Sequence, residues 1–123
     1  MFINRFALKI ACCLLPLALP AQGIQFEHCS WAEALEKAKN EEKIIFLDAV
    51  TTWCGPCKMM AKEVFPDSSV GAFFKANFVS IKLDMEHGEG IEVSSRYRVW
   101  VYPTMLFVDS SGAVQHRSAG FHN

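Results

Sequence analysis

Nowhere in these 123 residues does an apolar run reach the roughly 20 residues that a membrane-spanning helix needs. The longest, Ile10 to Leu19, is interrupted by Pro16. Basic residues are not in excess, with twelve Lys and Arg against thirteen Asp and Glu, and they form no stripe, which sets nucleic acid aside as a partner. No glycine-rich loop of the kind that cradles phosphate is present. A second C-x-x-C pair is also lacking. With His28 and Cys29 adjacent but His87, His116 and His122 scattered, a structural zinc site has no complete ligand set. Asp84 and Glu86 lack the ordered spacing of a calcium loop and read as solvated charge. What remains is one domain, 51% hydrophobic and large enough to bury a core.

The first stretch follows its own logic. Arg5 and Lys9 stand without acids before the apolar run, and the small residues Ala21 and Gly23 follow it. This is the pattern of a secretory signal peptide over residues 1–23, with cleavage after Ala21 or Gly23 and an uncleaved anchor as the lesser alternative. Cys12 and Cys13 lie early inside the run, away from any lipoprotein processing position. Residues 1–23 hold two of the twelve basic residues and none of the acids, so the remaining domain, 24–123, is mildly acidic.

Chemistry concentrates in Trp53-Cys54-Gly55-Pro56-Cys57-Lys58. Two cysteines two residues apart form a dithiol able to close into a small disulfide ring. Haem attachment would need histidine at 58, where lysine stands. A helical pattern begins at Cys54, and a thiol at a helix start faces free backbone N–H groups that favour the thiolate. Cys54 is therefore expected as the nucleophile. Cys57, one turn on, is expected deeper on the same face as the resolving thiol. Pro56 is tolerated in the first turn and stiffens the ring. Asp48 interrupts the apolar run Ile44 to Val50; burial there should raise its pKa toward neutrality and make it a proton acceptor for Cys57.

This hexapeptide resembles the active-site signature of thioredoxins, and three further matches keep the family's order. Asp48 is similar to its buried carboxylate, Tyr102-Pro103-Thr104 to its cis-proline loop, and Gly120 to the glycine before its last helix. The match covers about residues 24–121. It implies an α/β fold, a central mixed β-sheet flanked by helices, and a cis peptide before Pro103 that lets residue 102 pair with a bound substrate. Trp53, Gly55, Pro56, Tyr102 and Pro103 then form the substrate-binding surface. Trp100 and Tyr102 depart from the small or aliphatic residues often found there. A thioredoxin closes with a helix of roughly ten or more residues, whereas only Phe121-His122-Asn123 follow Gly120, so the last helix is missing or truncated. The strands at 104–108 and 113–117 should then expose an apolar face.

The remaining elements are read from local pattern. Residues 24–27 alternate like an edge strand; Ser30 and Glu33 form a capping box before a helix carrying Trp31, Leu35 and Ala38. Asp67 caps a helix over 68–76 with Val70, Phe73 and Phe74 inward. A strand over 78–83, a helix over 91–97, an extended run from Arg98 and a hairpin of 105–108 with 113–117 complete the chain. Cys29 is the odd cysteine, either a small apolar residue at a helix entry or a reactive thiol.

The expected function is an exported thiol:disulfide oxidoreductase in the periplasm or an equivalent space, acting as a reductase because Gly-Pro between the cysteines looks like the family's reducing members. Its partners would be disulfide-bearing exported proteins and an upstream thiol donor. It needs no metal and no cofactor beyond the Cys54–Cys57 disulfide, and no membrane insertion after cleavage. The competing class is a non-catalytic binding module using the surface around Trp53 and Tyr102.

Overall fold

A computed structural model describes residues 22–123; the signal-peptide reading of 1–23 therefore falls almost wholly outside the described residues. The run Ile44–Val50 forms β1, and Ile45 to Ala49 are all buried, as expected for a strand covered on both faces. Three strands join it: β2 (Phe78–Asp84), β3 (Thr104–Val108) and β4 (Val114–Ala119), in the order β2-β1-β3-β4. β1 and β2 are parallel, and β3 is antiparallel to both β1 and β4. The mixed α/β sheet expected from the sequence is thus present.

Side-chain alternation divides the core in two. Ile45, Leu47 and Ala49 point with Val79, Ile81, Leu106 and Val108 toward α1 (Trp31–Glu41) and α4 (Gly90–Tyr97). The capping box of α1 is complete, with Glu33 N donating to Ser30 Oγ at 3.1 Å and Ser30 N donating to Glu33 Oε1 at 3.3 Å. Phe46 and Met105 point the other way, against Met60 and Phe65. That side is covered by α2 (Gly55–Met59), which continues without a break into a π-helical turn, Met60–Val64, and by α3 (Ser68–Asn77) capped by Asp67.

Four readings need correction. Residues 24–27 are not a strand: Ile24 N donates to Phe65 O and Glu27 N to Ser80 O, two isolated bonds to different elements. Phe73 is exposed at 59% while Phe74 alone turns inward, ring against Phe46 at 4.7 Å. Arg98 takes a left-handed conformation (φ 53) that ends α4, so no extended run starts there. No helix follows β4 among the described residues, yet the expected apolar face is small. Met105 is buried, and Phe107 lies half-buried among Phe46, Phe74, Phe78 and His116. Phe121 packs against that cluster, and the exposed residues of β4 include Gln115, His116 and Arg117.

Candidate active site

The turn after β1 delivers the dithiol to the start of α2. Cys54 has extended backbone (φ −76°, ψ 107°) and caps the helix, its Sγ accepting the Cys57 N–H at 3.1 Å. This is the interaction by which a helix start stabilises a thiolate. Pro56 lies in the first turn, where no intrahelical donor is lost. Cys54 and Cys57 are joined as a disulfide, Cα atoms 5.3 Å apart. One expectation fails: Cys57 is not the deeper residue. Cys54 is 2% exposed and Cys57 6%, so in the disulfide form both are buried between the exposed Trp53, Gly55 and Pro56. The difference between them is positional, since only Cys54 Sγ receives a backbone N–H.

Asp48 is 1% exposed and lies on the sheet face covered by α2, opposite Lys82 of β2 and Met105 of β3. Cys57, three residues before the buried Met60, shares the helix face turned toward it. Burial pushes the Asp48 carboxyl up to about 6, with Lys82 pulling the other way. Lys82 Nζ stands 3.6 Å from Asp48 Oδ2 and Oδ1 has no partner, and burial outweighs the attraction of the ammonium. A carboxyl with that pKa exchanges protons near neutrality.

The Tyr102–Pro103 peptide is cis, Pro103 is buried, and its carbonyl accepts from Gly120 N at 2.8 Å. Gly120 has φ +88°, which explains a glycine there. Tyr102 meets Trp53 edge to face, ring centroids 5.8 Å apart, so the loop and the dithiol turn share one surface. Trp100 and Val101, 76% and 58% exposed, extend the apolar area.

Two further residues belong to the site and were not foreseen. Lys82 faces Asp48 only because β1 and β2 pair in one particular register, which no local pattern reveals. Glu86 accepts from Trp53 Nε1 at 2.5 Å. The loop holding it is fixed by Asp84, which accepts from Glu86 N and bonds His87 Nδ1 at 2.8 Å. Those acids are engaged within the loop, and the described residues contain no group of three or more side chains placed to hold a metal. Cys29 is free and half-buried, packed against the first core cluster. Burial, then the nearby Glu33 carboxylate, pushes its thiol up, away from reactivity.

Sequence comparison matches residues 21–102 to the family Thioredox_DsbH, described as a protein of unknown function, DUF255. The chain belongs to this thioredoxin-like family. A solved structure of a candidate disulphide-isomerase from Bacteroides thetaiotaomicron is 48% identical, covers 85% of this chain and 87% of its own, and superposes with a TM-score of 0.75. Thioredoxin-1 of Drosophila melanogaster is 37% identical over 55% of this chain and 59% of its own length. Spermatogenesis-associated protein 20 of Rattus norvegicus is 36% identical over 65% of this chain but only 9% of its own. The chain thus spans less than two thirds of these two curated relatives. As a member of the DUF255 family it carries a disulfide-oxidoreductase fold with a C-x-x-C pair.

Proposed function

We propose that the chain is an exported protein-disulfide reductase. The observation carrying this reading is the Cys54 sulfur at the start of α2, accepting a backbone N–H, with a carboxyl of raised pKa buried under the same helix. In the dithiol form, the Cys54 thiolate attacks one sulfur of a substrate disulfide, and the other substrate sulfur leaves as a thiolate that takes up a proton. Asp48 accepts the proton of Cys57, whose thiolate attacks Cys54 Sγ. The second substrate sulfur leaves as a thiolate and takes up the proton held by Asp48, so that two electrons and two protons have passed to the substrate. The chain ends as the Cys54–Cys57 disulfide, which an upstream thiol donor must reduce again. Trp53, Gly55, Pro56 and the Tyr102–Pro103 loop form the surface on which the substrate backbone rests, with Glu86 adding a negative rim.

Export is supported by the charge and apolar pattern before residue 22. Gly23 packs so closely that a Cβ would come within 2.0 Å of Phe65 O, which favours processing after Ala21 over processing after Gly23. In an oxidising compartment the pair stays reduced only if electrons are supplied to it. The name of the Bacteroides relative supports a second reading, isomerase. Equilibration with glutathione separates the two. A reductase holds its disulfide against the glutathione pool and is expected to be far more reducing than it; a pair as oxidising as glutathione would exclude the reductive direction.

A further inference from the structure

The residues preceding α1 form no regular element, yet they are held at five places. Ile24 N donates to Phe65 O and Glu27 N to Ser80 O, both at 2.8 Å. Glu27 is paired with Lys37 at 2.6 Å. The chain enters where backbone meets backbone: a Cβ on Gly71 would lie 2.1 Å from Gln22 O, and one on Gly23 2.0 Å from Phe65 O. Only glycine permits that approach. From there Phe26 reaches across the sheet, its ring 5.7 Å from Phe65 and 6.2 Å from Phe46.

Lys82 Nζ lies 4.8 Å from the Phe26 ring centroid and 5.8 Å from that of Phe65, within cation–π range of both. The same ammonium is 3.6 Å from Asp48 Oδ2. It lines an open cleft of about 280 Å³ between Gly23, Ile24 and Phe26 on one side and Ala61 and Phe65 on the other. We propose that the segment Gly23–Glu27 is the cover of this acid–base pair, with Phe26 as a positioning residue that holds Lys82 beside Asp48 and keeps water from the carboxyl. Phe26 touches neither substrate nor sulfur; it acts through Lys82 and Asp48.

Lys82 is the charged group facing Asp48, and Met105 of β3 stands opposite it on the other side. The apolar cluster on this face of the sheet is built from Ile24, Phe46, Met60, Phe65 and Met105, with Phe26 packed against it. Beyond Met60, its sulfur accepts from His122 N, and the His122 ring bonds Ser118 Oγ at 2.7 Å. Removal of the Phe26 ring has two opposed effects. It admits water to the carboxyl, which lowers the Asp48 titration point, and it frees Lys82 to leave, which raises it. Burial is the largest cause of the raised titration point, so the proposal requires the first effect to exceed the second, and a midpoint that rises in Phe26→Ala overturns it.

The proposal rests on the acid–base reading of Asp48, and its test is read without turnover. The full-length chain, in the disulfide form where neither Cys54 nor Cys57 titrates, is labelled with 13C at aspartate carboxyls. The Asp48 signal, assigned by Asp48→Asn, is followed against pH. In Phe26→Ala its midpoint is expected to fall by about half a unit or more, while Phe26→Leu, which keeps most of the apolar cover, stays within about 0.2 unit of the parent. An unchanged midpoint in folded Phe26→Ala overturns the proposal. Should Phe26→Ala be too unstable to assay, Phe26→Val opens the same cover less and must move the midpoint down too; no movement there overturns the proposal equally. Loss of turnover in Asp48→Asn is a separate measurement, so failure of the relay and failure of the cover are distinguishable.

Discussion

Replacing Cys57 by serine is expected to stop the reaction halfway, leaving Cys54 joined to its substrate in a mixed disulfide that collapses only when reductant is added. Cys54→Ser is expected to trap nothing by that route. The asymmetry does not come from exposure, since both residues are buried in the disulfide form. It comes from the backbone: the N–H of residue 57 points at Cys54 Sγ, and serine at 57 keeps that donor. The thiolate-favouring environment thus survives in Cys57→Ser, whereas Cys54→Ser loses the sulfur that enjoys it. Cys29 is replaced in both variants so that its free thiol contributes no adduct. Expressed with residues 1–21 in place, Cys57→Ser should run on a non-reducing gel as higher-mass species whose released partners identify the substrates. Equal trapping by both variants, or trapping by Cys54→Ser alone, would reverse or abolish the assigned roles.

Asp48→Asn is expected to raise stability and lower turnover together. The folded-state pKa of about 6 lies above the ordinary 3.8, so between those values the folded chain holds a proton that the unfolded chain has lost. Stability must then fall as pH rises from about 4 to about 6 and stay low above it, by about 3 kcal/mol for a shift of this size. Asparagine carries no charge to bury. The slope across that window should vanish and stability at pH 7 should rise by about 1 to 3 kcal/mol, the lower figure allowing for an amide whose buried atoms lack partners. For a domain of this size that is a Tm increase of about 5 °C or more. Turnover near neutral pH should fall about tenfold or more, because among the described residues no other carboxyl pairs with Lys82. Thermal unfolding from pH 4 to 8 and disulfide-reduction rates from pH 6 to 9 check the two halves. Rates unchanged across that range would mean that water, not Asp48, takes the proton.

How much could be read in advance depended on how local the cause was. The capping box of Ser30 and Glu33, the Asp67 cap and the apolar run of β1 are written in adjacent residues, and all three stand in the structure. The dithiol, Asp48 and Pro103 were legible because their spacing resembles a known family, and the structure buries Asp48 and has a cis peptide before Pro103. Register and packing were not legible. Lys82 belongs to the site because Asp48 pairs with it across two parallel strands. Phe26 reaches Lys82 and Phe65 from a segment without secondary structure, whose entry is fixed where Gly23 meets Phe65 and Gly71. Phe73 and Phe74 are indistinguishable as neighbours, and the position of α3 on Phe46 decides which is buried. The expected apolar face failed on composition: Gln115, His116 and Arg117 in β4 need no cover, and Phe121 is close enough to pack on the second core.

The central claim is that Cys54 and Cys57 together pass two electrons to a substrate disulfide. Mixing the fully reduced chain with a disulfide-bonded protein, quenching with acid and counting thiols on both by mass spectrometry tests it most directly. One substrate disulfide opened for each Cys54–Cys57 disulfide closed is the expected stoichiometry, with no such transfer from Cys54→Ser. A substrate left intact while Cys54 and Cys57 remain reduced, or equal transfer from Cys54→Ser, would contradict it and leave the surface around Trp53 and Tyr102 as that of a binding module.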